Sequence, residues 1–281
     1  HVYGDNGAFV ISVCVSEDDT TTCSTLTAAV SNVNPNFVIA PSCQPTYDGT
    51  WASVAPAGSP VTVEARPMDP GSDDLTLTWG WGDASHTVVV SLVNPPLADP
   101  PKSPAVQPRD LSLSRTHTYG AACLYGLTFQ SMDDDGGQTT DEAIVVIVGN
   151  ATLMRGAGWW MNQYRPGPPA NFSPQTLACY LNIVVQLSLV FDTPLSLANA
   201  VDILFVNQNK GDARQLFDRQ LMAAWLNFAN GAIGLADPDD TDGNGTNDTT
   251  FGAALLAAET VRENPASTKQ QLLDQKDILE R

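Results

Sequence analysis

His117-Thr118-Tyr119-Gly120, then Tyr125-Gly126-Leu127-Thr128-Phe129, then Asp133-Asp134-Asp135, decides the fold, because the chain carries this stretch twice. The other copy lies 116 residues earlier: His1-Val2-Tyr3-Gly4, Phe9-Val10-Ile11-Ser12-Val13 and Glu17-Asp18-Asp19. A repeat of domain size marks modular architecture. In the first copy Phe9, Ile11, Val13 and Val15 alternate with small or polar residues, the period of a half-buried strand. An acidic, Thr-rich turn over 16–22 leads to a return strand. Only the second copy has upstream strands to pack against. Residues 1–34 therefore read as the closing hairpin of a truncated module.

Outward from the second copy, Val61-Thr-Val-Glu-Ala, Leu75-Thr-Leu-Thr-Trp, Thr87-Val-Val-Val-Ser and Ala143-Ile-Val-Val-Ile-Val are strand-like. Turn signals at Asp69-Pro70-Gly71-Ser72 and Asp135-Gly136-Gly137 punctuate them. Short strands at this spacing predict an antiparallel β-sandwich over 35–150. Prolines at 95, 96, 100, 101, 104 and 108 predict a long exposed loop over 94–108.

Beyond 150 the period changes. Ser173-Pro174 is a helix cap with proline in the first turn. Phe217, Leu221, Ala224, Trp225 and Phe228 form one apolar stripe at helical spacing, with Arg214 and Asp218 as an i,i+4 pair on the other side. Helices are expected at about 249–263 and 266–280. The expected order is thus multidomain, β then α. Residues 1–34 and 35–150 are the β part, 151–172 a junction, and 173–281 a small helical bundle.

With 31 acidic residues against 13 basic, the chain carries a net charge of −18. Such a balance repels phosphate backbones and anionic membranes, so nucleic acid is not an expected partner. It attracts cations, above all Ca²⁺, whose ligands are carboxylate and carbonyl oxygens. No apolar run approaches the roughly 20 residues of a membrane span, so no membrane insertion is expected in this stretch. Cys14 and Cys23 would face each other in the first hairpin, and Cys43 and Cys123 could tie two strands of the second module. Cys179 is left over, and five buried thiols are the alternative. Paired cysteines would place the chain in an oxidising compartment.

These residues resemble a family. Asp69-Pro70-Gly71-Ser72-Asp73-Asp74, Trp79-Gly80-Trp81-Gly82-Asp83, His117 to Gly120 and Asp133 to Gly137 are similar to the motifs of PKD domains, over about 55–149. The resemblance implies an immunoglobulin-like β-sandwich of surface proteins and secreted enzymes, with residues 1–31 as the last hairpin of a preceding PKD domain. Two features depart from it: the longer loop 84–115, and a cysteine at 123. The helical half resembles modules that end bacterial secreted proteins, through Gly158-Trp159-Trp160-Met161-Asn162-Gln163.

Asp240, Asp242, Asn244 and Asp248 stand at positions 1, 3, 5 and 9 of a short Gly-containing loop within 237–248. Alternating carboxylate and amide oxygens let such a loop wrap a cation. It resembles the calcium loops of thrombospondin type-3 and dockerin repeats, although Phe251 stands where an EF-hand has Glu. Asp237 and Asp239 could add ligands. Asp69, Asp73 and Asp74, joined by Asp133 to Asp135, form a second candidate calcium cluster, or simply acidic turns kept soluble by charge.

Nucleophilic catalysis needs an available imidazole; His1 and His117 sit in the repeated turn, leaving His86. Trp51, Trp159 and Trp160 could stack on glycans or partners, or bury themselves at a junction. Asn150 and Asn171 head sequons that fit N-glycosylation. The expected function is a non-catalytic, calcium-stabilised region of an extracellular or cell-surface modular protein. Its contacts would be with other surface proteins, copies of itself or glycans. The alternatives are a subunit of an extracellular filament or surface layer, and an accessory region of a secreted hydrolase.

Overall fold

In the computed structural model, residues 1–41, 44–45, 51–85, 87–92, 108–167, 170–206 and 211–280 are described. Cys43, His86, the side chain of Trp51 and all of the proline-rich loop except Pro108 lie outside them. Strands come first and helices follow. The chain folds into two compact units, interleaved in sequence. His1–Pro41, Thr62–Thr116 and Gly126–Ala143 form the first; Ser42–Val61, His117–Tyr125 and Ile144–Arg281 form the second. This differs from the expected division at 150.

The first unit opens with β1 (Gly7–Glu17) and β2 (Thr20–Val30), antiparallel, with Cys14 opposite Cys23 and bonded to it. Nearly every residue of this hairpin is exposed, including Val10, Val13, Val15 and Leu26. The remainder is built from two groups of strands. β3 (Asn36–Pro41), β6 (Pro60–Asp69), β9 (Arg109–Asp110) and β10 (Leu113–Thr118) make one, in the order β10-β6-β3 with β9 also on β6. β7 (Leu75–Gly80), β8 (Val88–Leu92), β11 (Cys123–Asp133) and β12 (Gln138–Val148) make the other, in the order β12-β11-β7-β8.

Alternation decides which side is buried. Val63, Ala65, Leu75, Leu77, Trp79, Leu127 and Phe129 are all buried, while their neighbours in sequence face outward. A void of about 10 Å³ is lined by residues of both groups, Phe37 and Ala65 from one and Leu77, Trp79 and Phe129 from the other. Gly82 has φ +78°, and a Cβ there would collide with the Gly126 carbonyl oxygen, so only glycine fits.

The second unit holds β4 (Gln44–Pro45), β5 (Trp51–Pro56), the far ends of β11 and β12, and the helices. β5 runs parallel to β12, with Val145 opposite Ser53. The helices are α1 (Ala157–Tyr164), α2 (Pro174–Leu187), α3 (Leu197–Leu204), α4 (Ala213–Ala229), α5 (Phe251–Glu263) and α6 (Lys269–Leu279). A two-residue ladder, β13 (Pro238–Asp239) with β14 (Thr249–Thr250), precedes α5. Side chains at Ser173, Ser196, Asp212 and Thr268 cap α2, α3, α4 and α6, satisfying backbone N–H groups that a helix start leaves unpaired.

Helix α4 lies in the middle of this core, with Phe217, Leu221, Trp225 and Phe228 buried. The buried Glu259 accepts hydrogen bonds from Trp225 Nε1, Ser188 Oγ and the Leu189 N–H. Two expected pairings change. Asp218 accepts both Nε and Nη2 of Arg262 rather than pairing with Arg214, whose guanidinium donates to the carbonyls of Arg262 and Asn264. Cys123 is bonded to Cys179, not to Cys43. The start of β11 lies against α2, and their Cα atoms are 4.6 Å apart.

The sequence repeat is also a repeat of geometry. His1 and Tyr3 meet edge to face at 4.6 Å and 86°, His117 and Tyr119 at 4.6 Å and 87°. Tyr3 stacks on Phe9 at 4.3 Å and 23°, Tyr119 on Tyr125 at 4.2 Å and 27°.

Candidate metal centres

Asp69 ends β6, Asp73 lies in the turn before β7, and Asp133 ends β11. These ends converge because β7 pairs with β11 in the register Leu75 to Asp133. The three carboxylates have oxygens within 4.8 Å of one another, and the residues are only 2%, 5% and 2% exposed. Two unit charges at about 4 Å repel by roughly 4 kcal/mol at an effective dielectric of 20. Buried carboxylates without compensation are costlier still.

Part of that compensation is present. Asp133 accepts the Gly137 N–H at 2.6 Å and Asn32 Nδ2 at 2.8 Å, and Asp69 accepts the Gly71 N–H at 2.7 Å. Asp69 Oδ2, however, is buried without a hydrogen-bond partner. Burial raises the pKa of Asp69, and burial followed by the charge of Asp69 pushes Asp73 up to about 7. The donor set is all oxygen, which suits a hard divalent cation such as Ca²⁺ and not a thiolate-seeking metal. A cleft of about 180 Å³ lined by Tyr3, Asp5, Asn32, Asp69, Gly71 and Asp73 adjoins these groups.

Asp74, expected in this cluster, is not part of it: its carboxylate lies 3.8 Å from Arg109 Nη2. Asp134 accepts the Asp74 N–H. A residue the sequence did not mark joins instead. Asp5, Asp73 and Asp135 form a further group with oxygens within 4.8 Å.

In the second unit, the loop between β13 and β14 brings together Asp240, Asp242 and Asp248. Asp240 accepts the N–H groups of Gly243, Asn244 and Gly245, and these bonds, that from Gly245 foremost, hold its carboxyl below the usual range. Asp248 accepts from Thr241, and Asn244 Nδ2 donates to Asp242. Asp237 and Asp239 stand outside the group, accepting the N–H of Gly234 and of Asp240 respectively. Gly243 and Gly245 take positive φ, which gives the loop its tight curvature.

Trp160 is fully buried and donates to Asn227 Oδ1 at 3.0 Å, so it cannot stack on an external sugar. Trp159 is partly buried against the helical core, with Arg155 over its ring. Asn150 is exposed but donates its amide to the Ala57 carbonyl; Asn171 is exposed. A cleft of about 890 Å³ between β5, the end of β12 and residues 231–237 holds, among the described residues, one titratable side chain, Asp237. No helix among the described residues is long and apolar enough to cross a membrane.

No family model matches the chain, and no curated protein matches it. Solved structures do match. The PKD domain of an M14-like peptidase from a Thermoplasmatales archaeon covers 42% of this chain and 98% of its own, at 14% identity and a TM-score of 0.30. An engineered protein covers 43% of this chain and 21% of its own, at 15% identity and a TM-score of 0.24.

Proposed function

We propose that this chain is a non-catalytic, calcium-stabilised region of an extracellular modular protein. PKD-like sandwiches serve as spacers in it, and its contacts are with other surface proteins or glycans. The observation that carries this reading is the buried group Asp69, Asp73 and Asp133, with Asp69 Oδ2 left without a partner. A divalent cation there would be held by these three carboxylates, and its charge would offset their repulsion. Asp240, Asp242 and Asp248 would hold another in the helical half. The disulfides Cys14–Cys23 and Cys123–Cys179 favour an oxidising compartment.

The test is thermal unfolding. A ligand that binds only the folded state at 100 times its Kd adds about 2.7 kcal/mol. Millimolar Ca²⁺ should therefore raise the melting temperature by several degrees over EDTA, and superimposable curves would sink the reading.

The exposed hairpin favours a second reading, assembly of a filament or surface layer by strand completion. Ile11 and Val13 are 37% and 60% exposed, whereas Leu127 and Phe129 at the matching places of β11 are buried. Exposed strand edges invite pairing with another chain. A monomer at high concentration in sedimentation equilibrium would dispose of this assembly.

A further inference from the structure

We propose that the cleft between α1, α2 and α3 binds a small zwitterion with an apolar body, a free amino acid or a short peptide with free ends. Arg165 and Gln163 would take its carboxylate and Asp202 its ammonium group. Phe172, Leu177 and Val201 would receive its apolar part.

The cleft has a volume of about 580 Å³ and lies wholly within the second unit. Sites of this size enclose small ligands, and they are mostly apolar with a few placed polar groups. Gln163 is only 6% exposed, yet it lines the cleft. Its Oε1 accepts the Asn171 N–H at 2.7 Å, which makes the other atom of the amide the donor Nε2. Among the described residues nothing accepts a hydrogen bond from that Nε2. A buried donor without a partner is costly, and an acceptor on a ligand in the cleft would satisfy it.

Arg165 and Asp202 stand on the same cleft, the first at the end of α1 and the second on α3. Both are exposed, and neither forms an ion pair with the other or with any described residue. Opposite charges left apart on one cleft are complementary to a molecule that carries both. A planar guanidinium takes a carboxylate through two parallel hydrogen bonds, and capture of a free carboxylate or amine is a recurring mode of peptide recognition.

The walls are held by contacts of their own. Tyr164 Oη donates to the Leu177 carbonyl at 3.2 Å, tying the end of α1 to α2. Phe172 stacks on Trp160 at 6.0 Å and 14° and meets Tyr180 edge to face at 5.4 Å. The capping box of Ser196 and Asn199 fixes the start of α3. A site set in this way loses little to ordering when a ligand enters.

Isothermal titration calorimetry of the full chain tests the site with three probes: leucine, leucyl-leucine, and leucyl-leucine acetylated and amidated at its ends. The two zwitterions should bind, and the blocked dipeptide should bind at least about tenfold more weakly, the factor a hydrogen bond to a charged group contributes. Tighter binding of leucine assigns the cleft to free amino acids, and tighter binding of the dipeptide assigns it to peptide ends. Arg165→Gln should weaken both zwitterions by about tenfold and leave the melting temperature in place, since the side chain is exposed. In Asp202→Asn, leucyl-leucine and its N-acetyl form should bind alike. No heat from either zwitterion at millimolar concentration would overturn the proposal, and so would binding that neither substitution changes.

Discussion

Asp73 shows how one residue's surroundings set its chemistry. In chelator its carboxyl is neutral up to about pH 7, mainly because it is buried and then because Asp69 is beside it. The unfolded chain gives up that proton near pH 4. Between these values the folded state holds a proton that the unfolded state lacks, so stability is fully present below about pH 4 and falls as pH rises toward 7. In EDTA, this group should make the protein melt higher at pH 5 than at pH 7.5, and Ca²⁺ at pH 7.5 should close the gap. A chelated protein that gains stability from pH 5 to 7.5 would count against the assignment. Asp73 was legible in the sequence as part of an acidic turn. Its neighbour Asp74 read identically, yet it meets Arg109, and no local pattern separates the two. Asp5 was not legible at all, because it becomes a candidate ligand only when a residue 68 positions away is brought to it.

Elements were read more readily than their partners. The alternation of Leu75, Leu77 and Trp79 located β7, and the stripe through Phe217, Leu221, Trp225 and Phe228 located α4, since burial follows each period directly. The facing cysteines of the first hairpin were legible for the same reason. Cys123 and Cys179 were not, because their approach depends on how the end of β11 meets α2, which is a matter of tertiary packing. The turn after β7 gives a sharp test. Gly82→Ala would force a positive φ and a clash with the backbone of Gly126, and should cost upward of about 1 kcal/mol. Urea unfolding with an unchanged midpoint would show that the turn relaxes freely.

At the scale of the whole molecule the chain is a β region followed by helices, with metal-suited acidic groups in each compact unit. The order of elements followed from the repeat and the change of period. The grouping of the β11 and β12 ends with the helices did not, because Val146 and Val148 read as strand residues whichever core they enter. The Cys123–Cys179 bond spans a sequence separation of 56 residues. At about 3.4 Å per extended residue, those residues represent roughly 190 Å of chain. Drawn out from its two ends, the oxidised protein should fall short of its full contour length by about that amount, and by roughly 30 Å more for the separation of 9 residues closed by Cys14–Cys23. Adding reductant should restore the missing extension in single-molecule force traces, while equal lengths in both conditions would contradict the bond. A region serving as a spacer would then meet tension with a covalent limit on its own stretch, set where the strands give way to the helices.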